Sequence, residues 1–293
     1  MAANERVAVL GAGSTMGFPM ARNIANAGID TAAWNRSIEK AEPLGEHGVD
    51  VIDSPSRCVS SATIVLTMLA DGDAVTDVIE PILGVLGDDA IWLQMSTIGE
   101  AATERCAELA RSHDVTLLDA PVLGTKQPAE DGKLVVLASG SEDLRDRVQP
   151  VFDAVGQKTM WVGGNVGDGQ RLKMVVNSWV LTVTEGCAET VALAQGVGLD
   201  PSLIFEAIDG GTLDLPYLRM KGKAILEHNF EPMFKLALAA KDAGLINESA
   251  SRHDLDLPLF ATIRDQMLKA SEEHGDEDMI ATWFASAPAG VEA

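Results

Sequence analysis

The chain has 293 residues, more than one hydrophobic core usually serves, and 46% of them are apolar, so two domains with a core each are expected. A formal charge of -22 repels nucleic acid and anionic membrane surfaces, both bound chiefly through Lys and Arg, and excludes them as partners. Cys58, Cys106 and Cys187 share no short spacing and are odd in number, which excludes a cysteine metal site and points to a reducing compartment.

The opening residues, Met-Ala-Ala-Asn-Glu-Arg, carry no cationic segment ahead of a long apolar run. The longest apolar runs are broken by Asp71, or by Asn177 and Glu185, well short of the ~18 residues a membrane helix needs. A soluble cytoplasmic protein is expected. From Arg6 to Leu10 the chain reads as a short apolar strand ending in Gly11-Ala12-Gly13-Ser14-Thr15-Met16-Gly17, after which Phe18, Met20, Ala21, Ile24 and Ala25 keep a helical beat up to Gly28. Strand, glycine turn and helix in that order open a dinucleotide-binding fold: glycines allow the tight turn and close approach, and the helix N-terminus faces the pyrophosphate. A second strand, Thr31 to Trp34, ends in Asn35-Arg36-Ser37, where the ribose-reading residue of such a fold belongs. An acidic residue there accepts the 2'-hydroxyl of NAD, whereas Asn, Arg and Ser offer a cation and donors suited to the 2'-phosphate of NADP. A surface Arg and a Ser N-cap account for the triplet alone nearly as well.

The alternation continues. Ser54-Pro55 opens a helix with an N-cap and a proline at its first position, Ala62 to Met68 is a buried strand, and Asp71 caps the next helix. Ile91 to Met95 is a strand running into Ser96-Thr97, and a helix from about Gly99 to His113 leads to the strand Val115 to Leu118; Leu134 to Ala138 and Thr159 to Val162 extend the sheet. Strand and helix recurring with short loops predict an α/β domain with a doubly wound, mainly parallel sheet over 1–163. Ligands bind such sheets beyond the C-terminal strand ends, so Gly11 to Gly17, Met68 to Ala70, Ser96, Thr97 and Pro121 to Thr125 share one rim. Beyond Gly198 only helical spacing remains, at Pro201 to Asp209, Phe234 to Arg252 and Leu259 to Ser271, so 164–293 is predicted to be all-α.

The two halves are joined by Gly164-Asn165-Val166-Gly167-Asp168-Gly169-Gln170-Arg171-Leu172-Lys173-Met174-Val175-Val176-Asn177 and the apolar run after it. Leu172, Val175, Val176, Trp179, Val180, Val183 and Cys187 read as one buried stripe of a long interdomain helix, from about Asp168 to Gln195. Such a helix runs roughly 40 Å, at about 1.5 Å per residue. Lys173 and Asn177 are four residues apart, so a cation and an amide stand one above the other just beyond the glycine loop. A solvated Lys and a packed Asn would explain an arbitrary pair at this spacing.

Gly-x-Gly with Met16-Gly17, Trp34-Asn35-Arg36-Ser37, Met68-Leu69-Ala70-Asp71, Met95-Ser96-Thr97, Asp119-Ala120-Pro121-Val122, Pro128-Ala129-Glu130-Asp131-Gly132, the Gly164 to Asn177 stretch and Lys241-Asp242 occur in one order. Together they resemble the β-hydroxyacid dehydrogenase family, of the 3-hydroxyisobutyrate dehydrogenase type, over nearly the whole chain. Lys126 to Gly132 with the Asn-Arg-Ser triplet looks closest to its glyoxylate and succinic semialdehyde reductase branch, whose members use NADPH. The resemblance implies that Lys173 is the catalytic acid and base, that Asn177 orients the substrate, and that Thr97 and Lys241 contact NADP(H) beside Gly11, Gly13, Ser14, Thr15, Met16, Gly17, Asn35, Arg36, Ser37, Met68 and Leu69. It puts Ser96, Leu123, Gly124 and Thr125 with Lys173 and Asn177 at the substrate, and it implies a homodimer or homotetramer through the helical domain. The chemistry suits the side chains, since hydride delivered to a carbonyl carbon leaves an alkoxide to which an ammonium can give a proton.

Three departures stand out. The glycine loop is Gly-x-Gly-x-x-x-Gly, one residue longer than the family's, so Ser14 or Thr15 is expected to bulge. Leu123-Gly124-Thr125 replaces the usual Ser-Gly-Gly or Ser-Gly-Ser, removing a hydroxyl from the substrate loop, and Gln94 stands where an Asp commonly precedes Met-Ser-Thr. An NADPH-dependent reductase of small aldehydes or keto acids is the first reading. The alternatives are an imine reductase, although those families usually lack a lysine at the position of Lys173, and a non-catalytic NADP-binding protein, which intact Lys173 and Asn177 argue against.

Overall fold

Along Arg6–Leu10 the side chains alternate between two buried faces, Val7 and Val9 to one side and Ala8 and Leu10 to the other, as expected of a strand covered on both faces. The structure, a computed structural model, describes residues 5–288; Met1 to Asn4, read above for a targeting signal, lie outside the described residues. Strands β1 (Arg6–Leu10), β2 (Asp30–Trp34), β3 (Asp50–Val51), β4 (Ile64–Thr67), β5 (Ile91–Gln94) and β6 (Thr116–Asp119) are followed by β7 (Val122–Leu123), β8 (Leu134–Ser139) and β9 (Gly156–Gly163). They form one sheet in the order β3-β2-β1-β4-β5-β6-β8, with β7 and β9 also paired to β8. Every pairing from β3 to β6 is parallel, β8 runs antiparallel to β6 and β7, and β9 is parallel to β8.

Helices cover both faces: α1 (Gly17–Asn26), α2 (Pro55–Val59), α3 (Gly72–Ile79), α4 (Gly99–Ser112), α5 (Lys126–Glu130) and α6 (Arg145–Val155). Met20 and Ile24 of α1 and Phe152 of α6 pack with Val7, Val9, Ile64 and Leu66; Cys106 of α4 packs on the other face with Ala8, Leu10, Val65 and Trp92. Ser54 and Asp71 cap α2 and α3 as their sequence positions predict. Below the sheet, Arg6 holds Asp30 and Asp50 at 2.7 Å each and fastens the N-terminal ends of β1, β2 and β3.

The chain divides into two compact units, Met1–Lys173 and Met174–Ala293, and the division falls inside the long helix α7 (Asp168–Gly196). The second unit continues with α8 (Ser202–Ala207), α9 (Pro216–Leu226), α10 (Leu236–Arg252) and α11 (Pro258–His274). Helix α9 carries a lysine, Lys221, in the middle of its buried face, which interrupts the apolar beat that marks its neighbours in the sequence. The lysine is tolerated because Asp278 meets it at 2.5 Å, both side chains being almost fully buried. Asp278 also accepts hydrogen bonds from the backbone N–H groups of Met233 and Ile280.

The buried face of α7 differs from the stripe expected. Val175 and Trp179 are 66% and 63% exposed in the chain, in line down the helix with Leu193, which is exposed as well, as is Val197 in the turn after the helix. Of the expected stripe Cys187 is buried and Leu172, Val176, Val180 and Val183 are half-buried, and Met174, Asn177, Leu181, Thr184, Glu185, Ala188 and Val191 are buried beside them. Partners explain the buried polar positions: Asn177 donates to Asp242, Glu185 accepts from the Thr282 hydroxyl at 2.7 Å, and Thr184 shares a 3.0 Å hydrogen bond with Tyr217. Among the described residues no helix is long and apolar enough to cross a membrane.

Candidate active site

The strand ends on the C-terminal side of the sheet are staggered so that each loop hangs from its neighbour: Gly11 N donates to Trp34 O, Met68 N to Leu10 O, Met95 N to Thr67 O and Ala120 N to Gln94 O, all at 2.8 to 3.0 Å. Gly11 turns with φ +95°, and a Cβ there would lie 2.2 Å from Met68 O, so no other residue fits between the first turn and the β4 loop. The longer glycine loop is closed by Ser14. Its hydroxyl accepts from Gly17 N at 2.9 Å, its carbonyl accepts from Phe18 N at 3.0 Å, and Thr15 is pushed out into solvent. Helix α1 therefore still begins at Gly17, with its N-terminus facing the loop.

Asn35 lies against Gly13 and donates to Ser37 O at 2.8 Å. Arg36 is exposed beside it, and the Cβ of Lys40 lies against Gly13 as well. Lys40 was missed in the sequence, where it is one lysine among several; the single 3-10 turn Ile38–Lys40 brings it back to the glycine loop. Asn35, Arg36, Ser37 and Lys40 thus gather one amide, one hydroxyl and two cations at the end of β2, in a chain whose overall charge is strongly negative.

Met68 and Leu69 lie against Gly11, and Leu69 N donates to the Ser96 hydroxyl at 2.8 Å. Ser96 is fully buried, and its hydroxyl donates in turn to Thr67 O at 3.3 Å. Gln94, the departure noted in the sequence, has a structural role: its amide accepts from Ser96 N at 2.7 Å, donates to Ser96 O at 2.9 Å and so holds the Ser96–Thr97 turn against the strand. An Asp at this position could accept the first bond and not donate the second.

Lys173 is 8% exposed, and its Nζ donates to Val122 O of β7 at 2.8 Å, so the lysine is held against the Val122 to Thr125 loop. In that loop Leu123 is half-buried and Gly124 exposed, while Thr125 caps α5 without a side-chain hydrogen bond. The motif 126–132 is docked on α1, where Asn23 and Arg22 donate to the carbonyls of Ala129 and Glu130 at 2.9 and 2.8 Å.

Two buried groups that the sequence left without a role hold the start of α7. Asp119, at the end of β6, accepts from Gln170 N at 2.9 Å and from Gln170 Nε2 at 3.0 Å. Burial pushes the Asp119 carboxyl up to about 6, against hydrogen bonds from Gln170 and Ser139 that pull it down. A Cβ on Gly169 would come 2.3 Å from Leu137 O, so only glycine lets the first turn lie directly on the sheet. A carboxylate closing an apolar strand, and a Gln three residues before Lys173 on the same helical face, were the signals available in the sequence. In the second unit, Asn177 Nδ2 donates to Asp242 Oδ2 at 2.7 Å, and Lys241 Nζ lies 2.9 Å from Asp242 Oδ1. Among the described residues no group of His, Cys, Asp and Glu is placed to hold a metal ion.

Known proteins match both parts of the chain. Residues 6–163 match the family model described as the NAD binding domain of 6-phosphogluconate dehydrogenase, and residues 167–283 the one described as NAD-binding of NADP-dependent 3-hydroxyisobutyrate dehydrogenase. The chain is 31% identical over 272 residues to the chloroplastic glyoxylate/succinic semialdehyde reductase 2 of Arabidopsis thaliana, covering 91% of this chain and 75% of that one. Its fold superposes on Mycobacterium tuberculosis 3-hydroxyisobutyrate dehydrogenase with L-serine at a TM-score of 0.86 and 28% identity, over 96% of this chain and 98% of the other. An imine reductase from Myxococcus stipitatus in complex with NADP+ shares the fold alone, at a TM-score of 0.63 and 18% identity over 94% of this chain and 98% of that chain. With a glycine-turn dinucleotide domain, a helical second unit and matches across both, the chain belongs to the β-hydroxyacid dehydrogenase family of nicotinamide-dependent oxidoreductases.

Proposed function

We propose that this protein is an NADPH-dependent reductase of small aldehydes or keto acids of the semialdehyde type, with Lys173 as its general acid and base. The observation that carries the reading is the buried Lys173 ammonium, held 2.8 Å from Val122 O at the edge of the loop where the family places its substrate. Bound NADPH supplies the hydride. Lys173 gives the carbonyl oxygen its proton as the alcohol forms, and in the reverse direction the neutral amine takes the alcohol proton. Asn177, one turn further along α7, orients the reacting oxygen, and Asp242 fixes its amide by accepting from Nδ2. Ser96 is assigned to the scaffold instead of the substrate, because its hydroxyl is already engaged by Leu69 N and Thr67 O.

The cofactor is held in this reading by the Gly11 to Gly17 turn and the N-terminus of α1, by Met68, Leu69 and Thr97, and by Lys241. Arg36 and Lys40 are the cations that a 2'-phosphate would meet, with Asn35 and Ser37 as donors beside them. Three buried, free thiols suit a reducing cytoplasmic setting. The exposed line Val175, Trp179 and Leu193 on α7 supports self-association through the second unit, since apolar side chains aligned on one helical face are seldom left to water.

Turnover is checked by NADPH consumption against aldehydes, keto acids and ketone-plus-amine mixtures; consumption that requires an amine would replace the carbonyl reading with imine reduction. Lys173→Ala should lower kcat by ~100-fold or more while leaving NADPH affinity nearly unchanged, because a general acid acts in the transition state and not in binding. A variant with near-wild-type kcat would assign the proton elsewhere. Arg36→Ala should weaken NADPH by about 1.5 to 3 kcal/mol and hardly touch NADH, the scale of a charge-assisted hydrogen bond. Equal losses for both cofactors in a fluorescence titration would remove Arg36 from the phosphate site. Trp179→Glu should shift the mass in light scattering from oligomer to a smaller species; an unchanged mass would take this face out of the interface.

Leu123 supplies no donor to an anionic substrate oxygen, which leaves the backbone near Gly124, the Thr125 hydroxyl and Lys126 to receive a carboxylate. Glyoxylate is therefore a poor substrate in this reading, and a longer semialdehyde or a more apolar carbonyl compound is preferred. Leu123→Ser should raise kcat/KM for glyoxylate about 10- to 150-fold and lower it for uncharged aldehydes of similar length. A wild type that already favours glyoxylate, with neither ratio changed in the variant, would show that backbone groups alone hold the carboxylate.

A further inference from the structure

Gln170 is fully buried in the first turn of α7, three residues before Lys173 and on the same face. All four hydrogen-bonding positions of its amide are used. Oε1 accepts from Ile98 N and Gly99 N at 3.2 Å each, and Nε2 donates to Ser96 O at 2.9 Å and to Asp119 Oδ1 at 3.0 Å. One side chain therefore joins the turn after β5, the end of β6 and the helix that carries the lysine. Asp119 completes the joint from below: Oδ2 accepts from Gln170 N at 2.9 Å, and Ser139 Oγ, 3.4 Å from the same oxygen, accepts from Gly169 N at 2.9 Å. The chain leaving Asp119 passes through Pro121 to Val122, whose carbonyl receives Lys173 Nζ. Both the helix bearing Lys173 and the strand that Lys173 touches thus hang from one carboxylate and one amide.

We propose that Gln170, locked to the Asp119 carboxylate, is a positioning residue that sets where Lys173 Nζ stands against the Val122 loop. The proposal rests on Lys173 as the acid and base. The lock needs ionised Asp119, because only the carboxylate accepts from both Gln170 donors without turning a proton of its own toward one of them. Burial holds the Asp119 carboxyl up to about 6, so the lock is complete above that pH and loosens as the carboxyl gains a proton below it. Of the elements packed against Asp119, β5 and β8 bring no titratable side chain. The buried ones on α4 are Glu100, paired with Arg171 at 3.2 Å, and Cys106, whose thiol burial pushes up to about 12 and so keeps neutral. Helix α7 brings Asp168, at 2.5 Å from Arg171, and Lys173 itself.

The test uses Q170E, which has the shape of glutamine but sets an oxygen against Asp119 and Ser96 O in place of Nε2. The two carboxyls can share a proton at low pH and repel when it leaves, so the variant should be mended by acid where the wild type is weakened by it. The ratio of its kcat to that of the wild type, measured with succinic semialdehyde and saturating NADPH, should fall about 10- to 100-fold between about pH 6 and pH 9, with NADPH affinity little changed. A ratio constant with pH overturns the proposal. D119N should lose the acid limb of the kcat profile, its ratio to wild type rising below about pH 6; parallel profiles for D119N and wild type overturn the proposal too, and this holds if Q170E does not fold. Crystal structures of Q170E at about pH 6 and pH 9 give a readout free of turnover: the 2.8 Å contact between Lys173 Nζ and Val122 O should be kept in acid and lost in base, and its survival in both overturns the proposal. K173A assayed beside them separates the two ideas. If it turns over like wild type, the acid/base reading falls while the crystal structures still decide what Gln170 positions.

Discussion

The Asp119 carboxylate stands at the point where the sheet hands over to α7, and the arrangement of the first unit around Lys173 depends on how that charge is satisfied. A buried carboxylate costs several kcal/mol in lost hydration, and two donors from Gln170, with Ser139 nearby, offset that cost at about 1.5 to 3 kcal/mol for each bond to a charged group. The positive end of a helix of 29 residues points at the same oxygen and adds to the balance. Compensation is incomplete, and burial pushes the carboxyl up to about 6, above the usual carboxylate range. The consequence is geometric: wherever Asp119 sits, the first turn of α7 must sit, and Gly169 removes the side chain that would keep the turn off the sheet.

A chain of polar contacts spreads from this point through the rim. Trp92 donates to Thr67, Thr67 to Gln94, Gln94 to Ser96 O, and Gln170 meets the same carbonyl from the other side. Every link lies within the first unit and nearly every atom in it is buried, so the loops of the rim are fastened from beneath. Such a scaffold limits the rotamers and loop shapes open to the residues above it, which is the condition for holding a proton donor within reach of a reacting atom. The loop carrying Leu123 is built differently. Its two-residue strand pairs with β8, with Val122 buried in the core and Leu123 half-buried beside it.

The second unit shows the same preference for partnered polar groups over a purely apolar core. Lys221 with Asp278, Glu185 with Thr282 and Asn177 with Asp242 each bury a polar or charged side chain that finds a partner two or more turns or a whole helix away. The buried face of α7 is chosen by those pairings as much as by hydrophobicity. Val175 and Trp179 are left on the outside as a result.

By itself the sequence determined most strands and helices of the dinucleotide domain, though not the short β3, β7 and α5, because alternation, caps and glycine turns are local and each is written within a few consecutive residues. The order of its motifs also determined the family. It marked Lys173, Asn177 and the Asn35 to Ser37 triplet as places to look, since spacing on one helix or after one strand is a local matter too. Helices α6 and α9 escaped notice, the first carrying Pro150 and many charges, the second interrupted by Lys221, whose partner lies 57 positions away in sequence. The tertiary structure alone decided which face of α7 is buried, that Ser96 and Gln94 hold the rim together, that Lys40 returns to the glycine loop, and that Asp119 and Gln170 carry the start of α7. Each of those outcomes depends on a hydrogen bond or close approach between segments far apart in the chain. A buried polar residue looks the same in sequence as an exposed one until the fold brings its partner to it.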